Sequence, residues 1–155
     1  MNSSYPNEIF TISTIIPGKL YLSGMYPTRS EKILQQYGID KIVRLGKFPY
    51  TSLRPTLTIE IEDFPNEPID KYLDQCYQFI DDALSNCESV LVHCMAGISR
   101  SVTVVTYYLM KKFSLDVENA LTYIRKHRSI IRPNDGFIRC LQRKNLILNK
   151  INRKI

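Results

Sequence analysis

The sequence is poor in what a metalloprotein, a membrane protein or a secreted protein would need. Its 155 residues hold two His (His93 and His127) and four Cys (Cys76, Cys87, Cys94 and Cys140), and none of their spacings matches a zinc-ligand pattern. No metal and no cofactor is expected, and a reducing compartment suits the thiols. No apolar run approaches the ~20 residues of a membrane span. Residues 1–10 lack the basic and apolar regions of a signal peptide, Asn2 excludes N-myristoylation, and residues 152–155 hold no prenylation Cys. A cytoplasmic location is expected, with nuclear entry open to a chain this small. Internal repeats and low-complexity tracts are also absent, so residues 1–155 read as one domain with a core over about 12–150.

What is present is an ordinary globular composition, 44% hydrophobic and 23% charged, with a net charge of +6. The basic excess lies late, at Arg125, Lys126, Arg128, Arg132, Arg139, Arg143, Lys144, Lys150, Arg153 and Lys154. Solvated helix faces account for such charges, and docking on an anionic partner through the basic C-terminal region is the alternative.

One nonapeptide, His93 to Ser101 (HCMAGISRS), organises the chain, with the apolar run Val90-Leu91-Val92 before it and an apolar stretch over 102–110 after it. The run before it reads as a buried strand, Gly97 lets the loop turn tightly, and Ser99 is placed to cap a following helix. A loop wrapped over a helix start aims unpaired backbone N–H groups and the positive helix end at one point, which favours an anion. Met95, Ala96, Gly97, Ile98, Ser99 and Arg100 would form that cradle. Cys94 enters the loop where these groups and Arg100 favour thiolate over thiol, giving a nucleophile. Arg100 offers a planar fork that matches two phosphate oxygens. A Cys ending a strand is commonly an inert core thiol, and the bare C-x5-R spacing is weak. The flanking His, Gly, Ser residues, strand and helix are separate requirements, and all are met.

At these residues the chain resembles the cysteine-dependent protein phosphatases, most closely the dual-specificity branch with its signature H-C-x-x-G-x-x-R-[ST]. Here the signature is His93, Cys94, Gly97, Arg100 and Ser101. The resemblance implies that Cys94 forms a phosphoenzyme and Arg100 binds the phosphoryl oxygens. It also implies that His93 supports the nucleophile and loop, and that the Ser101 hydroxyl helps the thiolate depart. Some relatives protect an oxidised nucleophile with a backdoor cysteine, a part open to Cys76 or Cys87, which otherwise read as structural thiols.

Upstream, residues 11–16 and 20–23 read as a hairpin around Pro17-Gly18, and a capping box at Thr28 to Glu31 predicts a helix over 29–37. Strands are expected at 41–45 and 56–61. The loop Glu62 to Pro68 follows the second of these, at a strand end where open α/β sheets hold ligands. Transfer of phosphate to a thiolate requires an acid for the departing oxygen. The resemblance places that acid at Asp63, with Glu60 and Glu62 as rivals. An amphipathic helix at 69–84 precedes the signature strand. The signature helix runs over 100–113, although residues 102–108 alone have strand propensity. A further helix is expected at 116–128. Arg132-Pro133-Asn134-Asp135-Gly136-Phe137 resembles the family's R-P-N-x-G-F segment, in which Asn134 caps the last helix, to about 149, and supports the catalytic loop.

An α/β fold follows, with a central mixed sheet of about five strands flanked by helices. The expected activity is metal-free hydrolysis of phosphotyrosine and phosphoserine/threonine in proteins. No insertion builds a deep phosphotyrosine cleft, which favours the shallow dual-specificity site. A phosphoinositide phosphatase is the first rival, although Met95, Ala96 and Ile98 supply no loop Lys. An RNA 5′-triphosphatase and a non-catalytic phospho-binding module are the others.

Overall fold

The structure, a computed structural model, describes residues 6–154. β1 (Ser13–Ile16) and β2 (Leu20–Ser23) form the antiparallel hairpin around Pro17-Gly18. β3 (Lys41–Leu45), β4 (Thr56–Ile59) and β5 (Val90–His93) complete a five-stranded sheet in the order β1-β2-β5-β3-β4, and every pair except the hairpin is parallel. β5 is the central strand, and Val90, Leu91 and Val92 are fully buried. A central parallel strand covered on both faces is apolar without alternation, as this run is.

The pleat sends neighbouring residues to opposite faces. Leu91 lies in register with Tyr21 and Ile42, and all three join Leu34 of α1 (Glu31–Gln36) in a small core on one face. Val90 and Val92 face the larger core. That core takes side chains from α2 (Asp70–Ser85), α3 (Arg100–Phe113), α4 (Val117–His127) and α5 (Asp135–Arg153).

α3 is buried at every position from Arg100 to Met110, and this burial overrides the strand propensity of its β-branched run. Its two buried Thr hydroxyls are satisfied within the helix: Thr103 donates to the Ser99 carbonyl at 2.8 Å and Thr106 to the Val102 carbonyl at 2.6 Å.

Boundaries differ from expectation at several ends: β1 begins at Ser13, and the ends of α1, β4 and α5 move for identifiable reasons. α1 begins at Glu31 because Ser30, not Thr28, is its cap and accepts from Ile33 N–H at 3.3 Å. The Thr28 hydroxyl is instead within 2.6 Å of the Met25 carbonyl and 2.7 Å of the Tyr50 hydroxyl. β4 ends at Ile59, and the Ile61 N–H turns back to the Ile59 carbonyl at 3.0 Å. α5 continues to Arg153, past the expected end near 149. Among the described residues, no helix is long and apolar enough to cross a membrane. The chain segments leaving the C-terminal ends of the parallel strands β2, β3, β4 and β5 all emerge at one end of the sheet, and the loop of residues 94–99 lies there.

Candidate active site

The loop from Cys94 to Ser99 is held by its carbonyl groups. The Cys94 carbonyl accepts from His93 Nδ1 at 3.1 Å, and the Met95 carbonyl accepts from Met25 N–H at 2.9 Å. The Ala96 and Gly97 carbonyls accept from Arg128 Nη2 at 3.0 Å and Nε at 2.8 Å, and the Ile98 carbonyl accepts from Arg132 N–H at 2.7 Å. With the carbonyls engaged outward, the N–H groups of Met95 to Arg100 have no acceptor among the described residues. An arc of free amides at the start of α3 is an anion site. Gly97 has a φ of +68°, and a Cβ there would lie 2.6 Å from the Ser23 backbone, so only glycine fits the turn.

Cys94 is 2% exposed, and its Sγ lies 3.1 Å from Ser101 Oγ in the first turn of α3. Arg100, also buried, donates from Nη1 to the Ile61 carbonyl at 2.9 Å. That contact ties the guanidinium to the stretch that leads into the acid loop. Ser99 stands at the N-cap position of α3 but makes no side-chain cap. Its hydroxyl accepts the Asn134 backbone N–H at 2.9 Å instead, which corrects the sequence expectation.

Asn134 is the junction of the site. Its Oδ1 accepts from Phe137 N–H at 2.9 Å and so caps α5, while its Nδ2 donates to Asp63 Oδ1 at 2.9 Å. Asp63 is therefore oriented by the same residue that holds the loop of residues 94–99, and it is exposed. A Cβ on Gly136 would lie 1.9 Å from the Pro65 carbonyl oxygen, so the acid loop rests directly on the backbone of α5. Neither Glu60 nor Glu62, both exposed, has a hydrogen bond that orients it among the described residues.

A carbonyl only accepts, so the contact to Cys94 places the His93 proton on Nδ1. Its Nε2 is buried without a partner, as are Arg44 Nε and Arg100 Nε. Burial above all, opposed by the hydrogen bond to Cys94 and aided by the charges of Arg44 and Arg100, brings the His93 pKa down to about 4. The imidazole is thus neutral, packed on the Phe48 ring at 5.2 Å.

Sequence reasoning missed Arg128. It was counted among solvated basic residues, yet it is fully buried and also donates from Nη1 to the Thr11 carbonyl and to Ser13 Oγ, both at 3.1 Å. Its only sequence signal is its position, the last residue of the helix expected at 116–128 and one past the observed α4. Burial lowers its pKa, opposed by the Glu8 and Cys94 charges.

All four cysteines are free: Cys76, Cys94 and Cys140 are buried and Cys87 is exposed. Cys87 lies at the end of the chain segment that enters β5, whereas Cys94 leaves the other end of that strand. Cys76 is fully buried in α2, and burial pushes its thiol up to about 12. Among the described residues, no group of three or more His, Cys, Asp or Glu could hold a metal ion.

A family model described as the dual specificity phosphatase catalytic domain matches residues 20–145. Dual specificity protein phosphatase 1B of Arabidopsis thaliana is 45% identical over 126 residues, which cover 79% of this chain and 75% of that protein. Dual specificity protein phosphatase 1 of the same plant is 35% identical over 138 residues, covering 84% of this chain and 68% of that protein. The crystal structure of the human tyrosine phosphatase-like serine/threonine/tyrosine-interacting protein is similar with a TM-score of 0.81 at 32% identity, over 88% of this chain and 96% of that one.

Proposed function

The chain belongs to the dual specificity phosphatase family, and from that premise we propose how its residues divide the work of hydrolysing phosphotyrosine and phosphoserine/threonine in proteins. The reaction of this family is a double displacement at phosphorus through a phosphocysteine, so two steps need assignment.

In the first, Cys94 attacks phosphorus in line with the departing oxygen. The free amides of residues 95–100 and the Arg100 fork bind the three equatorial oxygens, where charge spreads in the transition state. Asp63 gives its proton to the leaving alkoxide or phenoxide, which is a poor leaving group as an anion. In the second step Asp63 takes a proton from the attacking water. The Ser101 hydroxyl donates to the sulfur as the P–S bond breaks, and His93 keeps the Cys94 carbonyl turned away from the nucleophile. The observation that carries this reading is the shared anchoring of the loop and Asp63 by Asn134.

The exposed basic side chains Arg143, Lys150 and Arg153 on α5 suit an acidic segment of a phosphoprotein substrate. A loss of salt sensitivity in kcat/KM after Lys150→Glu with Arg153→Glu checks this.

The deciding experiment is hydrolysis with EDTA present of an aryl phosphate, phosphotyrosyl and phosphothreonyl peptides, a phosphoinositide and a 5′-triphosphorylated RNA. Wild type is expected to turn over both peptide classes and Cys94→Ser none. Phosphopeptide binding without any hydrolysis would make the chain a binding module, and selective turnover of the lipid or RNA would reassign the substrate.

A further inference from the structure

We propose that Phe10 and Tyr26 form an apolar platform beside the catalytic loop, selecting phosphorylated segments that carry a large apolar side chain two or three residues from the phosphorylated one. The proposal rests on the phosphatase reading above and concerns which substrates that site prefers.

Both rings are open to solvent, Phe10 at 45% and Tyr26 at 49%, and they pack on each other with centroids 4.8 Å apart. Met95, the residue after the nucleophile, is 48% exposed, and Phe64, next to Asp63, is 58% exposed. Single exposed apolar residues are ordinary, but a group of them around one polar cradle marks a contact surface. The phosphoryl group would enter the cationic centre, while the flanking side chains meet an apolar rim.

The platform is also fixed to the loop. Met25, adjacent to Tyr26, donates its N–H to the Met95 carbonyl. Thr11, adjacent to Phe10, offers its carbonyl to Arg128 Nη1, and the same guanidinium holds the Ala96 carbonyl. A rigid aromatic pair loses little freedom on binding and presents faces against which Leu, Met or an aromatic ring can pack. Two or three residues of extended substrate span ~7–10 Å, which sets the reach from the phosphorylated residue to a flanking side chain.

The test uses peptides of equal length and charge with one phosphothreonine, differing only in Leu or Ser at the second and third flanking positions. Wild type is expected to favour the Leu peptides about tenfold in kcat/KM, mostly through KM. Tyr26→Ala and, separately, Phe10→Ala should remove that preference while a small aryl phosphate is turned over as before. Equal kcat/KM for Leu and Ser peptides with wild type would overturn the platform alone, as would a preference that survives both variants. Failure of wild type to hydrolyse the aryl phosphate would overturn the catalytic reading, and the platform with it.

Discussion

Asn134 and Asp63 are 71 positions apart in the chain, yet the Asn134 side-chain amide donates to the Asp63 carboxylate at 2.9 Å. Through its backbone N–H, Asn134 also grips Ser99 in the phosphate loop. One residue therefore sets Asp63, the proposed acid, relative to the loop proposed to bind phosphate.

The first prediction separates positioning from chemistry. Asp63→Ala should lower kcat for phosphoserine or phosphothreonine peptides about 100-fold or more, and hardly affect an aryl phosphate whose leaving group needs no proton. Asn134→Ala should give a weaker version of that pattern, about tenfold, together with about 1 kcal/mol of lost stability from the missing α5 cap. A leaving-group series run on both variants checks it. Equal slowing of good and poor leaving groups by Asp63→Ala would move the acid elsewhere.

Arg128 calls for a different readout. Its removal would leave the buried Gly97 carbonyl and Ser13 hydroxyl, and the part-buried Ala96 and Thr11 carbonyls, without their donor. At ~1–3 kcal/mol for each of the two buried groups, Arg128→Ala should cost at least about 2 kcal/mol in urea unfolding. It should also weaken the binding of phosphate or tungstate, because the loop amides are no longer held in an arc. Arg128→Lys can replace one of these hydrogen bonds at a time, so it should recover only part of either loss.

The contrast between these two residues explains what could be read from the sequence. Cys94, Arg100 and Ser101 fall within eight positions on one loop, so their juxtaposition follows from local geometry. Asp63 and Asn134 are singled out by what the resemblance implies, Asp63 past a strand end with Glu60 and Glu62 as rivals and Asn134 within the R-P-N-x-G-F segment. Arg128 has no such pattern: its partners come from residues 11–13 and 96–97, and an Arg following a basic helix end looks solvated until the chain is folded. The bound Ser99 hydroxyl was hidden for the same reason, since its partner lies 35 positions away. β5 and α3 show the fold's two cases: a continuous apolar run that declares itself a central strand, and a β-branched helix that only complete burial stabilises.

His93 predicts an acid limit on stability. Its pKa in the fold is about 4 against an ordinary 6.5, so the folded protein binds fewer protons than the unfolded chain between these values. The contribution is therefore fully present above about pH 6.5 and is lost as pH falls toward 4, by up to about 3 kcal/mol. Denaturant unfolding at several pH values checks it. His93→Asn, which keeps a donor near the Cys94 carbonyl but cannot titrate, should show a flatter slope across that window.

The 3.1 Å contact between Cys94 Sγ and Ser101 Oγ bears on the second chemical step. Ser101→Ala removes the donor that steadies the departing sulfur, so phosphocysteine hydrolysis should become rate-limiting. Rapid mixing with an aryl phosphate should then show a burst of phenol close to one equivalent of enzyme, followed by slow turnover. Phosphoenzyme trapped by acid quench should rise in parallel. A variant with reduced rate and no burst would place the Ser101 contribution in the first step.

Gly136 gives the most local test of how the acid loop is held. The Cβ that alanine would add lies 1.9 Å from the Pro65 oxygen, a distance no packing tolerates, and the obstacle is backbone rather than a flexible side-chain tip. Either the loop carrying Asp63 moves out or the start of α5 shifts. Asn134 anchors that start to both Phe137 and Ser99, so the loop is the part expected to yield. Gly136→Ala should then resemble Asp63→Ala in kinetics, slowing poor leaving groups by about 10-fold to 100-fold and sparing an activated aryl phosphate. Phosphate or tungstate affinity should stay near wild type, because the carbonyl anchors of the loop at 94–98 are untouched. If phosphate affinity falls together with turnover, the helix has moved instead, and the acid loop is the more rigid of the two.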